Sequence, residues 1–383
     1  MSKPKKHKII FTGGGTGGHI FPLIAIIREL KKILPTETLL LYYIGPQDTI
    51  SKEYMEKEGI EIRYISTGKV RRYGGFKTRI QDFLDIVFRI PLGIIQSFLH
   101  IYIISPDLIF SKGGYGSFPI VIMGRFFNIP LLLHESDAVL GATNKLLQKF
   151  FAEIFTSFPK TEGVETEKML VVGNPIREEI LEGDKKKGAE LFKLKAEKPV
   201  IVIIGGSQGS ERINDLFLSA LTGFLQDFEI IHQCGKNNYK AVFAESNAVI
   251  NDEKLKESYH LFDFFDEEKL KHAYKCADLI VSRAGSGSIF EIAANNKAAI
   301  FLPLTESAQN HQLRNAYLYA STKSAVVLEE TNLTSRFFLS KIKELFSPIK
   351  QIRVMEENSK YFARPRAGGI IAAYIKEYLT RNE

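Results

Sequence analysis

The chain predicts an α/β fold of two Rossmann-like, doubly wound parallel-sheet domains facing a ligand cleft. Three observations carry this expectation. Two glycine-rich turns, GGGTGGH at Gly13 to His19 and GGSQGS at Gly205 to Ser210, each follow an apolar, β-branched run and precede a helical pattern. Continuous apolar runs recur between helical stretches, which marks parallel strands covered on both faces. A length of 383 residues exceeds one ordinary core and fits two domains.

In the first half, strands are expected at 8–12, 38–44, 108–111, 130–134, 154–156 and 170–172, and helices at 22–34 and 79–104. From Arg177 to Lys198 the composition turns charged, so the boundary is placed near 174–175. The second half repeats the alternation with strands at 200–204, 229–232, 260–263, 279–282, 299–302 and 325–328. This gives domains at 1–174 and 175–365, and a terminal helix at 366–383 expected to pack back on the first domain.

Composition narrows the function classes. Apolar content of 45% and charged content of 25% are ordinary for a folded soluble protein. A net charge of +7 is a modest bias toward anionic partners. The basic opening, Lys3 to Lys8, reads as a solvated tail rather than a secretory leader, and no nucleic-acid partner is expected because no binding motif accompanies it. Cys234 and Cys276 lack metal-ligand spacing and read as reduced, structural thiols. Asp85, Arg89, Pro91, Gln96 and His100 interrupt the most apolar stretch, 83–104, so no membrane crossing is expected.

The turns carry the chemistry. Gly13, Gly15 and Gly18 match the dinucleotide pattern GxGxxG, but the second strand ends Tyr42-Tyr43-Ile44-Gly45 with no acid to hold a ribose. A phosphate loop would need a lysine where His19 stands. His19, at the mouth of a helix N-terminus, is suited to general-base work, or to capping the helix or bonding the loop. The second turn suits a diphosphate, with Ser207 adding a hydroxyl to the backbone donors.

Further on, Ser282-Arg283-Ala284-Gly285-Ser286-Gly287-Ser288 lets a ligand approach the backbone, and Glu291 lies on the same helical face as Ser288. Its carboxylate suits two ribose hydroxyls, or it is a solvated helix glutamate. Asn310-His311-Gln312 follows a strand end, where amides can read sugar hydroxyls or simply form a surface loop. Lys112 to Ser117 and His134-Glu135-Ser136-Asp137 could line the same crevice, without the spacing of a metal site. Lys69, Arg71, Arg72, Lys77 and Arg79 precede an apolar series, Phe83, Ile86, Val87, Phe88, Ile90, Leu92, Ile94 and Ile95. That series suits either contact with an anionic membrane surface or an ordinary core-facing helix.

Together, GGTGGH at 14–19, GGYGS at 113–117, HE at 134–135, GNPIR at 173–177, GGSQGS at 205–210, RAG at 283–285 with Glu291, and NHQ at 310–312 resemble the MurG family of bacteria. They occur in the same order over nearly the whole chain. The resemblance implies an inverting GT-B glycosyltransferase needing no metal or other cofactor. It would move N-acetylglucosamine from UDP-GlcNAc to the 4-hydroxyl of the muramoyl sugar of lipid I, giving lipid II, as a peripheral protein of the cytoplasmic face of the inner membrane. By the same resemblance, Thr16, Gly17 and Gly18 match a first-domain donor segment, and His19 matches the catalytic base. Arg177, Ser207, the run Ser286, Gly287, Ser288, Ile289, Phe290 and Glu291, and Gln312 match second-domain donor contacts, and Phe265 matches a backbone and apolar contact to uracil.

Two departures stand out. The family's HEQN is here HESD, so Asp137 replaces an amide and cannot donate a hydrogen bond when ionised. The turn after RAG is Ser286-Gly287-Ser288, which keeps a hydroxyl and loses an apolar side chain. The alternative activity is a UDP-sugar 2-epimerase of similar architecture, which would not need the basic, apolar face. A nucleotide-sugar-binding protein without activity comes third, and His19 argues against it.

Overall fold

The computed structural model describes residues 6–68, 76–195, 197–206, 208–347 and 349–381. Lys69, Arg71, Arg72 and Ser207, and the side chain of Lys77, lie outside the described residues. The chain divides into two compact units, Met1–Arg177 with Arg366–Glu383, and Glu178–Pro365.

The first unit holds strands β1 (His7–Thr12), β2 (Leu39–Gly45), β3 (Glu61–Tyr64), β4 (Leu108–Ser111), β5 (Leu131–Glu135), β6 (Glu153–Thr156) and β7 (Met169–Val171). They form one parallel sheet in the order β3-β2-β1-β4-β5-β6-β7. Alternation along each strand feeds two cores. Ile9 and Phe11 of β1 join Phe110, Leu132 and Phe155 on one face, and Ile10 joins Ile109, Leu133 and Ile154 on the other. The helix Ala367–Thr380 completes the first face, where Ile371, Ala372 and Ile375 are buried beside Leu23 and Ile27. Tyr374 stands edge-on to Phe155 at 5.2 Å.

β3 is the strand the sequence reading omits. It lies at the sheet edge, pairs only with β2, and reads Glu-Ile-Arg-Tyr. Half-exposed on both faces, it needs no apolar run and therefore shows none.

The stretch from 76 to 104 departs from a core-facing helix. Thr78–Ile104 is continuous, turning through a π-helical segment at Asp85–Arg89, and by length and composition it could cross a membrane. The interrupting polar residues do not shorten it. Asp85 is buried and pairs with Arg89 at 3.1 Å. Gln96 accepts from the Ser66 N–H at 2.6 Å, and Gly93 sits so close to the Ser66 carbonyl that a Cβ would strike it. With Ile101 and Ile104 in the core, the helix is fastened along the flank of its own unit. Its other face is bare: Phe83, Ile86, Val87, Phe88, Leu92, Ile95, Leu99, Tyr102 and Ile103 are all exposed. Only Ile90 and Ile94 of the expected apolar series are half-buried.

The second unit repeats the plan with β8 (Val200–Ile204), β9 (Glu229–Gln233), β10 (Tyr259–Phe262), β11 (Leu279–Ser282), β12 (Ala299–Phe301) and β13 (Ala325–Val327). Their order is β10-β9-β8-β11-β12-β13, all parallel. In each unit the order reverses beside the first strand, between β1 and β4 and between β8 and β11. Ligands of open α/β sheets bind at such switch points, beyond the carboxyl ends of the strands.

Candidate active site

Both glycine turns stand at those points. In the first unit, the turn after β1 meets the turn after β4, and the contact tolerates no side chains. A Cβ on Gly14 would lie 3.2 Å from the Gly116 Cα. Gly15 has φ +76°, and a Cβ there would press on the Tyr115 hydroxyl at 2.8 Å. The Tyr43 hydroxyl, from β2, donates to the Gly13 carbonyl at 3.0 Å and fixes the turn from below. Tyr115 and Tyr43 were not singled out from the sequence, because a tyrosine in a glycine-rich loop or an apolar strand carries no distinctive pattern.

The helix Gly17–Ile33 begins with Thr16 as its N-cap, in extended conformation. Its Oγ1 makes no capping bond and instead shares a hydrogen bond of 3.0 Å with His19 Nδ1. His19 therefore bonds the loop without capping the helix. Its Nε2 turns toward Gly114, where a Cβ would come within 3.1 Å. When Nδ1 donates to Thr16, Nε2 carries the lone pair that a base requires. Thr16 and Gly18 are exposed and Gly17 is buried.

The turn after β5 closes this cluster. The buried Glu135 carboxylate accepts from the N–H groups of Asp137 and Gly141, at 3.1 and 3.0 Å, and from Asn144 Nδ2 at 2.8 Å. Burial, then the nearby Asp137, pushes its carboxyl upward. His134 Nε2 donates to the Gly173 carbonyl at 3.0 Å, and burial holds the ring well below its usual range, hence neutral. Arg177, grouped by the resemblance with second-domain contacts, ends the first unit. Its guanidinium stacks 4.3 Å from the Phe21 ring, one turn beyond Gly17.

In the second unit, Gly209 has φ +78°, and a Cβ would strike the Cys234 carbonyl. A buried relay holds that carbonyl. The Tyr259 hydroxyl meets His232 Nδ1 at 2.8 Å, His232 Nε2 meets Asn214 Oδ1 at 3.0 Å, and Asn214 Nδ2 donates to Cys234 O at 3.1 Å. Burial lowers His232 to about 3, so the ring is neutral and the relay has one direction, from tyrosine to carbonyl. Gln233 Nε2 donates to Gly206 O at 3.0 Å, so β9 supports the turn from a second point. Ser210 caps the helix Glu211–Leu218, its Oγ accepting from Ile213 N at 3.3 Å.

Arg283 ties three segments together. It donates to Ser210 Oγ at 2.7 Å and to Leu302 O at 2.9 Å, and it pairs with the buried Glu330. Beyond it, the helix Ser286–Ala294 opens with a free approach. Nothing lies within 4 Å of a Cβ built on Gly285 or Gly287. Ser286 is buried, and its hydroxyl finds no protein partner. A helix N-terminus beside an orphan hydroxyl fits an oxygen-rich ligand.

Glu291 is positioned rather than merely solvated: the buried Tyr274 hydroxyl donates to its Oε2 at 3.0 Å. Ile289 and Phe290 are core side chains, Phe290 lying against Phe362 at 5.0 Å, which leaves only their backbone to a ligand. Phe265 is likewise buried between Phe192 and Phe262, at 6.0 and 5.6 Å. Gln312 Oε1 accepts from Leu304 N at 3.0 Å, so its amide N–H₂ is what it can offer. The loop before it is strained, since Gln309 and Asn310 both have positive φ, 56° and 54°. Among the described residues, no group of three or more His, Cys, Asp or Glu side chains could hold a metal.

Comparison with known proteins agrees with this arrangement. Residues 9–156 match the glycosyltransferase family 28 N-terminal domain, and residues 200–368 match the family 28 C-terminal domain. These matches define the class, a family 28 glycosyltransferase of the GT-B fold. The chain is 36% identical over 357 residues to the UDP-N-acetylglucosamine–N-acetylmuramyl-(pentapeptide) pyrophosphoryl-undecaprenol N-acetylglucosamine transferase of Clostridium tetani, covering 92% of this chain and 94% of the relative. The crystal structure of Acinetobacter baumannii MurG superposes with a TM-score of 0.73 at 24% identity, covering 97% of this chain and 99% of that one. This chain belongs to the MurG family. A UDP-GlcNAc 2-epimerase from Neisseria meningitidis shares the fold, with a TM-score of 0.65, 15% identity and coverage of 97% and 100%.

The two glycines at the second-unit site should respond oppositely to a methyl group. Gly209→Ala should cost more than about 2 kcal/mol in urea unfolding, from positive φ and the blocked carbonyl approach. Gly287→Ala, in open space on a helix, should be neutral or add about 0.5–1 kcal/mol. Equal costs at both positions would contradict the packing described.

Proposed function

We propose that this chain transfers N-acetylglucosamine from UDP-GlcNAc to the 4-hydroxyl of the muramoyl sugar of lipid I, forming lipid II with inversion. The observation that carries the reading is 36% identity over 92% of the chain to a relative named for that transfer. The epimerase likeness, at 15% identity, concerns the fold alone.

The site residues supply the chemistry. His19 Nε2 takes the proton of the acceptor hydroxyl as that oxygen attacks the anomeric carbon, and the uridine diphosphate leaves from the opposite side. One displacement turns the α linkage into β. The departing diphosphate gains negative charge, and its stabilisation is assigned to the turn that follows β8 and to the N-terminus of the helix at Ser286. Glu291 holds the ribose hydroxyls, and Tyr274 fixes the carboxylate that does so. The bare apolar helix face, with Arg79 and Arg89 exposed beside it, docks on an anionic membrane surface and brings the enzyme to its lipid-linked acceptor. The direct test is UDP release from UDP-GlcNAc with and without a lipid I analogue. Acceptor-dependent release supports the transfer, and release without acceptor or formation of UDP-N-acetylmannosamine contradicts it.

Two further outcomes are expected. Glu291→Ala should weaken UDP binding in calorimetry by about 1.5–3 kcal/mol, and Tyr274→Phe by about 0.5–1.5 kcal/mol. Wild type should bind 2′-deoxy-UDP less tightly than UDP, and Glu291→Ala should lose that preference. Equal discrimination in both proteins would remove Glu291 from the ribose.

For the membrane face, Phe83→Glu combined with Phe88→Glu should abolish sedimentation with anionic vesicles and leave UDP affinity unchanged. Activity should fall on vesicle-borne acceptor and persist on a short-chain, water-soluble one. Undiminished vesicle binding by this variant would place the docking surface elsewhere.

A further inference from the structure

The second-unit site is braced across its switch point by side chains that the chemistry above does not use. Backbone pairing between β8 and β11 ends at Ile204 and Ser282. Among the described residues, the hydrogen bond that joins the two following loops runs from Arg283 Nη2 to Ser210 Oγ, at 2.7 Å. Ser210 Oγ also accepts from Ile213 N, so the same oxygen anchors the start of the helix Glu211–Leu218. Arg283 stands three residues before Ser286, where the helix Ser286–Ala294 begins. One side chain therefore ties the starts of both helices together.

Arg283 does not hold this position unaided. Its side chain is 11% exposed, and a guanidinium at that depth is costly without a counter-charge. Glu330, buried in the segment after β13, supplies that charge through Oε1 to Nη1, and Leu302 O accepts from the same nitrogen at 2.9 Å. Arg212 anchors Glu330 in turn. Its Nη2 donates to Glu330 O at 2.8 Å, and its Nε lies 3.5 Å from Oε2. Arg212 is the second residue of the helix that Ser210 caps, so the ring Ser210–Arg283–Glu330–Arg212 closes on itself. The planar guanidinium fork makes such a ring specific in angle as well as distance.

We infer that Glu330 is a positioning residue for the donor diphosphate: by holding Arg283 on Ser210, it fixes the spacing of the two helix N-termini that share the anion. This rests on the glycosyl transfer proposed above and adds to it a residue that touches neither substrate. Two backbone anion sites serve one leaving group only at one separation, and a preset separation needs no rearrangement as charge develops. As a bare charge, a carboxylate repels a diphosphate. An effect of field alone and an effect of position therefore have opposite signs.

The test uses Glu330→Ala, Glu330→Gln and the double variant Arg283→Met with Glu330→Met, each titrated with UDP and with uridine. Glu330→Ala should weaken UDP binding by about tenfold or more and move uridine binding by less than about twofold. Glu330→Gln keeps an acceptor for Arg283 and should fall between Glu330→Ala and wild type. Loss of the carboxylate by field alone would tighten UDP. Unchanged or tighter UDP binding in Glu330→Ala overturns the proposal, as does an equal loss of UDP and uridine.

The double variant separates position from stability. It leaves no buried charge unpaired, so its thermal midpoint should recover relative to Glu330→Ala, while UDP binding stays weak because the bond to Ser210 is gone. A double variant that regains UDP affinity along with its stability shows a scaffold role alone and overturns the proposal. If Glu330→Ala does not fold, Glu330→Gln and the double variant still decide. A wild type that prefers UDP to uridine but transfers no sugar counts against the proposed reaction and leaves the role of Glu330 standing. A wild type without that preference overturns both.

Discussion

Each sheet must deliver its first strand into a helix within a few residues. That constraint organises the molecule. At β1 it is met where Gly14 lies against Gly116 and Gly15 lies under Tyr115, contacts that exclude a Cβ. At β8 it is met where Gly209 approaches the Cys234 carbonyl. The surrounding polar side chains hold these turns in place: Tyr43 on Gly13, Gln233 on Gly206, and the Tyr259–His232–Asn214 relay on Cys234. A fully buried, neutral histidine is unfavourable to desolvate unless both nitrogens are bonded, and in this relay both are.

The same economy separates structural from chemical residues. Ile289, Phe290 and Phe265 belong to cores, and Arg283 spends its donors on Ser210, Leu302 and Glu330. The polar side chains left to serve a ligand are the Ser286 hydroxyl, the Gln312 amide and the carboxylate of Glu291, which Tyr274 braces. In the first unit it is His19, oriented by Thr16.

Much of the fold was legible because parallel strands buried on both faces must be continuously apolar. Runs such as Val200–Ile204 and Leu131–Glu135 announce themselves. β3 did not, since an edge strand reading Glu-Ile-Arg-Tyr has no buried face to advertise. The glycine turns and His19 were visible from spacing. Tyr274, Tyr115 and the buried relay were not, because each acts through a contact between segments far apart in the chain. The 76–104 helix shows the opposite failure. Its apolar content reads equally as core or as exposed surface, and only packing along Gly93, Ser97 and Ile101 shows which face is covered.

The central claim is that the first glycine turn exists to place a base. The most direct measurement is kcat of His19→Ala at saturating UDP-GlcNAc and soluble acceptor, with UDP affinity measured in parallel. The account requires kcat to fall by about 10²–10⁴-fold with UDP affinity unchanged. A kcat near wild type would show that His19 only bonds the loop through Thr16, and the account of the first turn would fail.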